Sequence, residues 1–127
     1  MDYIVDSNIW IEFFNKRNYF DAISSLLDNN EAYTNKIILA ELIPSSRAKN
    51  EEEFINCLYG IELLELHIDW NEIIEIQYFC IINGINKLGL LDIVIAQNAK
   101  QNNVGIFTIN RHMVLLCNLI GVPYKNS

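Results

Sequence analysis

The chain has 127 residues, of which 51% are hydrophobic and 20% charged, and its net charge is −7 at neutral pH. This composition excludes a disordered chain and provides for one core without disulfide or metal staples, so a single domain over residues 1–127 is expected. The acidic balance argues against a strong, sequence-blind grip on nucleic acid, yet it suits a carboxylate metal site or a basic protein partner.

The pattern along the chain opens with Tyr3-Ile4-Val5, an apolar run that stops at Asp6 and reads as a buried parallel strand. Ser7 is placed to cap a short helix carrying Ile9, Trp10, Phe13 and Phe14, which Lys16-Arg17-Asn18 breaks. A second helix carries Phe20, Ile23, Ser24, Leu26 and Leu27, up to Asn29-Asn30. Ala32-Tyr33-Thr34 reads as a strand, and Asn35 caps a helix over Ile37–Ile43 that bends or stops near Pro44. Ser45–Asn50 is polar and mixed in charge, and is expected to be a loop.

Glu51-Glu52-Glu53 opens a helix at its favourable dipole end, with Phe54, Ile55, Leu58 and Tyr59 inward and Gly60 as the stop. Leu63–Ile68 alternates like a third strand, and Asp69 with Glu72 forms a capping-box pattern for a long helix ending near Asn83-Gly84. After an Asn86–Gly89 turn, Leu90-Leu91-Asp92 leads into a helix over Ile93–Ala99. Val104–Thr108 is a fourth strand, Asn110 caps a last helix, and Gly121–Tyr124 is a fifth, edge strand. Strands alternating with helices predict an α/β fold with a central, mostly parallel sheet of four to five strands flanked by helices.

No run reaches the roughly 18 apolar residues a membrane span needs, because Glu72, Glu75 and Gln77 interrupt the most apolar segment. Asp2 and Asp6 also stand where a signal peptide would be basic and then apolar, so a cytoplasmic protein without membrane association is expected. Cys57, Cys80 and Cys117 are odd in number, far apart and set among apolar neighbours, the pattern of buried free thiols.

In open α/β sheets, ligands bind at the carboxyl edge of the strands. Asp6 ends the first strand there, Thr108 ends the fourth, Asn110 lies just beyond it, and Asp92 starts the preceding helix. Glu41 rides at the margin of an apolar helix face. Taken singly, each has a plainer account: Asp6, Asp92 and Asn110 as helix caps, Ser7 and Asn8 likewise, and Glu41 as a surface acid. Spacing alone leaves both accounts open.

The order of the motifs adds to this. Ile4-Val5-Asp6-Ser7-Asn8, Asn35–Leu42, Gly84-Ile85 with Gly89–Ala99, and Ile106–Met113 together resemble the PIN-domain family. The likeness is greatest to the VapC-like toxins of bacterial and archaeal toxin–antitoxin pairs, and it spans essentially the whole chain. It implies a metal-dependent endoribonuclease in which Asp6, Glu41 and Asp92 bind Mg2+ or Mn2+. Ser7, Asn8 and Thr108 would support them. Beside Asn110, Arg111 and His112 offer either a contact to RNA phosphate or a solvated helix start. The family often has a fourth acid where this chain has Asn110, and an aromatic where it has Met113. Asn110 keeps a carbonyl oxygen for the catalytic site but lacks the charge. The resemblance further implies a homodimer silenced by an antitoxin protein, for which Trp10, Phe13, Phe14 and Phe20 offer either a contact or core packing.

Two other functions compete. A catalytically weak PIN domain acting as a protein- or RNA-binding module is favoured by Asn110 and the acidic balance. A receiver domain would need paired acids at the first strand and a lysine after the last, and neither is in place. His67 and His112 lack a nucleophile partner, and no glycine-rich phosphate loop is present.

Overall fold

The computed structural model describes all 127 residues. Its elements are β1 (Tyr3–Val5), α1 (Ser7–Lys16), α2 (Phe20–Asp28), β2 (Ala32–Thr34), α3 (Lys36–Ala48) and α4 (Glu52–Tyr59). They continue with β3 (Glu62–Leu63), α5 (Trp70–Ile82), α6 (Leu90–Gln101), β4 (Gly105–Phe107), α7 (Arg111–Ile120) and β5 (Tyr124–Lys125). The five strands form one sheet in the order β3-β2-β1-β4-β5, and every pairing is parallel. This is the α/β architecture that the alternating pattern predicts.

Strand order reverses at β1, which pairs with β2 on one side and β4 on the other. The crevice beyond the carboxyl ends of β1 and β4 is therefore the topological switch point, where open α/β sheets place ligands. Ile4, Val5, Ile106 and Phe107 lie fully buried in these two central strands. They belong to a cluster of 29 buried apolar residues that joins the sheet to its helices. α6 is the innermost helix: Ile93 through Ala99 are all buried, and it packs on β4 between α5 and α7. No helix is long and apolar enough to cross a membrane.

The structure departs from the sequence pattern at several places. α3 runs through Pro44 to Ala48, where a loop is expected. Proline removes the hydrogen bond to the Ala40 carbonyl, but Ala40 and Pro44 both face solvent, so water can serve that oxygen. Ile43 and Ser46 are buried, which holds the last turn in place.

The third strand is only two residues long, not the six of Leu63–Ile68. Beyond it the backbone bonds to amide side chains of α6: Asn98 to the Glu65 carbonyl, Gln101 to that of His67, and Gln97 to both backbone groups of Asp69. Gln97 thereby takes the Asp69 N–H that the capping-box pattern assigns to Glu72, while Asp69 still caps α5 by accepting from the Glu72 N–H. β5 begins at Tyr124, later than expected, with the Pro123 carbonyl accepting from Ile106. The cap of α1 is Asp6 itself, not Ser7.

Candidate active site

Asp6 is 4% exposed at the end of β1. Its backbone N–H continues the ladder to the Phe107 carbonyl at 2.9 Å, so the side chain is aimed by the sheet. Three donors hold that carboxylate. The Ser7 N–H reaches Oδ1 at 2.9 Å, while Thr108 Oγ1 and Asn8 Nδ2 reach Oδ2 at 2.8 and 3.3 Å.

Thr108, fully buried just past β4, also accepts from Asn8 Nδ2 at 3.1 Å and from the Asn110 N–H at 3.0 Å. Asn8 Oδ1 in turn accepts from the Ile109 N–H. Asp6, Asn8 and Thr108 thus form one closed network across the switch point, and Ser7 joins it through its backbone.

Glu41 comes from the second turn of α3 and Asp92 from the first turn of α6. Both lie near enough to Asp6 for mutual repulsion to matter. Burial pushes the Asp6 carboxyl above its ordinary value, and the Asp92 charge adds to this against the hydrogen bonds from Thr108, Ser7 and Asn8. Burial also raises Glu41, with the Asp6 and Asp92 charges contributing. Asp92 accepts from the Gly89 N–H at 2.9 Å, so it caps its own helix while its charge acts on the other two acids. The capping role and the clustered role therefore coexist in one residue.

The donor chemistry is that of a hard divalent ion: three carboxylates, two of them held above their normal values. No three acidic, imidazole or thiol side chains converge closely enough to cage an ion by themselves. Mg2+ sites seldom need such a cage, since the ion is commonly held by one or two carboxylates and completed by water. The residues fit that kind of site.

The remaining predicted residues divide. Asn110 caps α7 with its Oδ1, which accepts from the His112 and Met113 N–H groups at 3.0 and 3.3 Å. The carbonyl oxygen that offered a ligand is thus engaged by backbone. Arg111 is exposed beside it, and His112 is half-buried with its Nδ1 enclosed and unpartnered. Trp10 is fully buried, Phe13 and Phe14 are half-buried, and only Phe20 of the proposed aromatic contact is exposed. His67 is exposed.

Two features were missed by sequence reasoning. Buried Cys117 lies close enough to Asp6 to feel its charge, and burial chiefly pushes its thiol up to about 12. Asn35 donates to Asn98 Oδ1 at 3.0 Å in the interior, tying the start of α3 to α6. The available signal for the second was Gln97-Asn98, two amides inside an otherwise apolar helix.

Comparison with known proteins bears on this geometry. No curated protein matches the chain. A chain in the crystal structure of VapBC2 from Rickettsia felis, bound to a DNA fragment from its promoter, superimposes with a TM-score of 0.78. It is 20% identical, and the match covers 99% of this chain and 98% of that one, a likeness in fold. The PIN domain family model matches residues 3–117, so the chain belongs to the PIN-domain family.

Proposed function

We infer that the protein is a metal-dependent endoribonuclease that hydrolyses RNA phosphodiesters, the toxin of a toxin–antitoxin pair acting in the cytoplasm. The observation that carries this is Asp6: a buried carboxylate at the switch point of the sheet, held by three donors and crowded by Glu41 and Asp92. Such crowding is costly unless a cation or a positively charged partner group relieves it.

Asp6, Glu41 and Asp92 would hold Mg2+ or Mn2+. When bound there, the ion supplies charge to offset the phosphate and lowers the pKa of water. The protein's own part is positional. Thr108 and Asn8 hold Asp6 Oδ2, and the Gly89 N–H holds Asp92. Asn110 sets the start of α7 and, through its N–H, the Thr108 hydroxyl. Ser7 follows Asp6 in the chain, and Arg111 and His112 open α7 directly after Asn110.

Membership of the family and a fold shared with a VapBC2 chain support a protein antitoxin as partner. The net charge of −7 suits a basic segment in that partner. A homodimer is supported by α5, which leaves Ile74, Tyr78, Ile81 and Ile82 exposed; an apolar patch of this kind is normally covered.

The test is RNA cleavage by the purified, antitoxin-free protein with Mg2+ or Mn2+. Cleavage that persists in EDTA, or in both Asp6→Ala and Asp92→Ala, would sink the proposal. A second function, as a binding module of little activity, is favoured by the Asn110 oxygen being occupied in its cap. Calorimetry separates the two: no Mn2+ binding in the millimolar range favours the module.

A further inference from the structure

Nine residues of the chain are basic, and four are already committed within the fold. Lys16 pairs with Glu12 and Lys100 with Glu72, while Arg17 lies over Phe20 and Lys125 over Tyr3 and Phe107. Lys36, Arg47, Lys49, Lys87 and Arg111 have no such partner. Of these, Lys36 and Lys49 bracket Glu41 along α3, and Arg111 directly follows Asn110.

Glu41 is the shared wall of two concavities. One, of about 200 Å3, lies between α1, α3 and α4, with Phe14, Asn15, Ser45, Lys49 and a second acid, Glu51, in its lining. The other, of about 360 Å3, is lined toward α6 by Lys36, Leu66 and Leu91. Each concavity contains one lysine. Glu41 and Ser45, four residues apart, lie on one ridge of α3, and Lys49 follows as the residue that caps its C-terminal end. At a rise of ~1.5 Å per residue, Lys36 stands about 7.5 Å before Glu41 along the axis and Lys49 about 12 Å beyond it, with Lys36 turned by about 140° around α3 toward the second concavity.

We propose that α3 is the track of a single-stranded RNA. Lys36 and Lys49 hold phosphates on either side of Glu41, and the smaller concavity receives one unstacked base. The proposal rests on the ribonuclease function inferred above. In a chain of net charge −7, a polyanion needs local cations to reach an acidic site, and these two flank it without internal partners.

In the smaller concavity, Phe14 stacks on Phe54 at 4.2 Å and 18°, an aromatic wall beside which a base can pack. Asn15 and Ser45 carry the donors and acceptors that read the edge of a splayed base. A duplex would keep its bases out of such a recess. A basic peptide would meet like charge at both ends of the track, which is why RNA is the occupant chosen.

The test is anisotropy of a short, labelled, mixed-sequence single-stranded RNA in EDTA, where the inferred cleavage is off. Wild type is compared with Lys36→Ala, Lys49→Ala, the double variant, and Lys100→Ala at the far end of α6. Each track variant should weaken binding roughly threefold to tenfold, and each should flatten the log–log salt slope by about one. Lys100→Ala should change little, and duplex RNA should bind more weakly than single strand.

A double variant that binds RNA as Lys100→Ala does overturns the proposal. So does a basic peptide that gains affinity in the double variant while RNA binding stays constant, because the track then belongs to a protein. Cleavage is scored separately with Mn2+. Wild type that binds through both lysines yet never cuts loses the ribonuclease function and keeps the track. Wild type that cuts, with track variants binding and cutting equally well, loses the track alone.

Discussion

Thr108 Oγ1 donates to Asp6 Oδ2 at 2.8 Å across 102 positions of sequence, inside the crevice between the two central strands. This bond favours the ionised carboxylate against the burial that opposes it. Removing the hydroxyl with Thr108→Val should lower Mn2+ affinity roughly 10- to 100-fold, the usual effect of losing a group that orients a ligand. Thr108→Ser should restore most of it. The acid limb of the cleavage profile should also move to higher pH in the valine variant. Calorimetry and a pH–rate series check both parts; a valine variant that binds Mn2+ like wild type removes Thr108 from the site.

Crowding of the acids sets a pH dependence with a definite sign. Burial and neighbouring charge raise Glu41, and burial raises Asp6, above ordinary carboxylate values. The folded chain therefore binds more protons than the unfolded chain through that window. Stability of the metal-free protein falls as pH rises from about 4 through the raised values. Glu41 is partly solvated and its repulsion is screened, so Glu41→Gln should raise stability by only about 0.5 kcal/mol, roughly 2 °C in Tm, at pH near 7. The gain should vanish toward pH near 4. Thermal melts in EDTA decide the matter, and an equal gain at both ends would contradict the assignment.

Asn35 and Asn98 join the two helices that carry Glu41 and Asp92. Asn35 also caps α3 through Ile38 N–H, and Asn98 also serves the Glu65 carbonyl. Asn98→Ala strands a buried amide and a carbonyl, at a cost of about 2–4 kcal/mol. Urea unfolding measures that cost. Mn2+ affinity, taken where the variant is still folded, should fall several-fold as the helices lose alignment. Unchanged affinity would reduce the pair to a purely structural bond.

The three thiols should differ sharply in reactivity. Cys57 is half-buried, Cys80 nearly enclosed and Cys117 fully enclosed, with its thiol pushed up to about 12 by burial and the Asp6 charge. A thiolate reagent at neutral pH should label Cys57 first and Cys117 only on unfolding. Peptide mapping after timed labelling reads this order. Early labelling of Cys117 would mean that the core around it opens far more readily than its packing suggests.

Much of the fold was legible because apolar runs and polar stops follow the periods of strand and helix. Tyr3-Ile4-Val5 followed by Asp6, and Asn35 and Asn110 before their helices, each carry a local physical signal. Where tertiary packing decides, the signal fails. Ser45–Ala48 is helical because Ile43 and Ser46 are buried, and Leu64–Ile68 is not strand because α6 takes over its backbone bonds. That Asp6 caps α1 was legible as one of two readings, with Ser7 as the other, since either residue caps well; the structure decides for Asp6. The nearness of Asp6, Glu41 and Asp92 was not readable from spacing at all. It required either the family resemblance or the order in which the strands lie.

The amides of α6 that engage residues Glu65–Asp69 bear on self-association. A bare strand beside β3 would offer its backbone to any unpaired strand nearby. Here several of those groups are already claimed by Gln97, Asn98 and Gln101, so fewer remain to template growth of the sheet across that side. Replacing these amides with aliphatic residues would preserve an apolar helix and yet expose a ready site for intermolecular β-pairing. These bonds thus have a use beyond packing, two of the amides (Gln97 and Asn98) being buried to make them: they help keep a short, open sheet from extending into its neighbours.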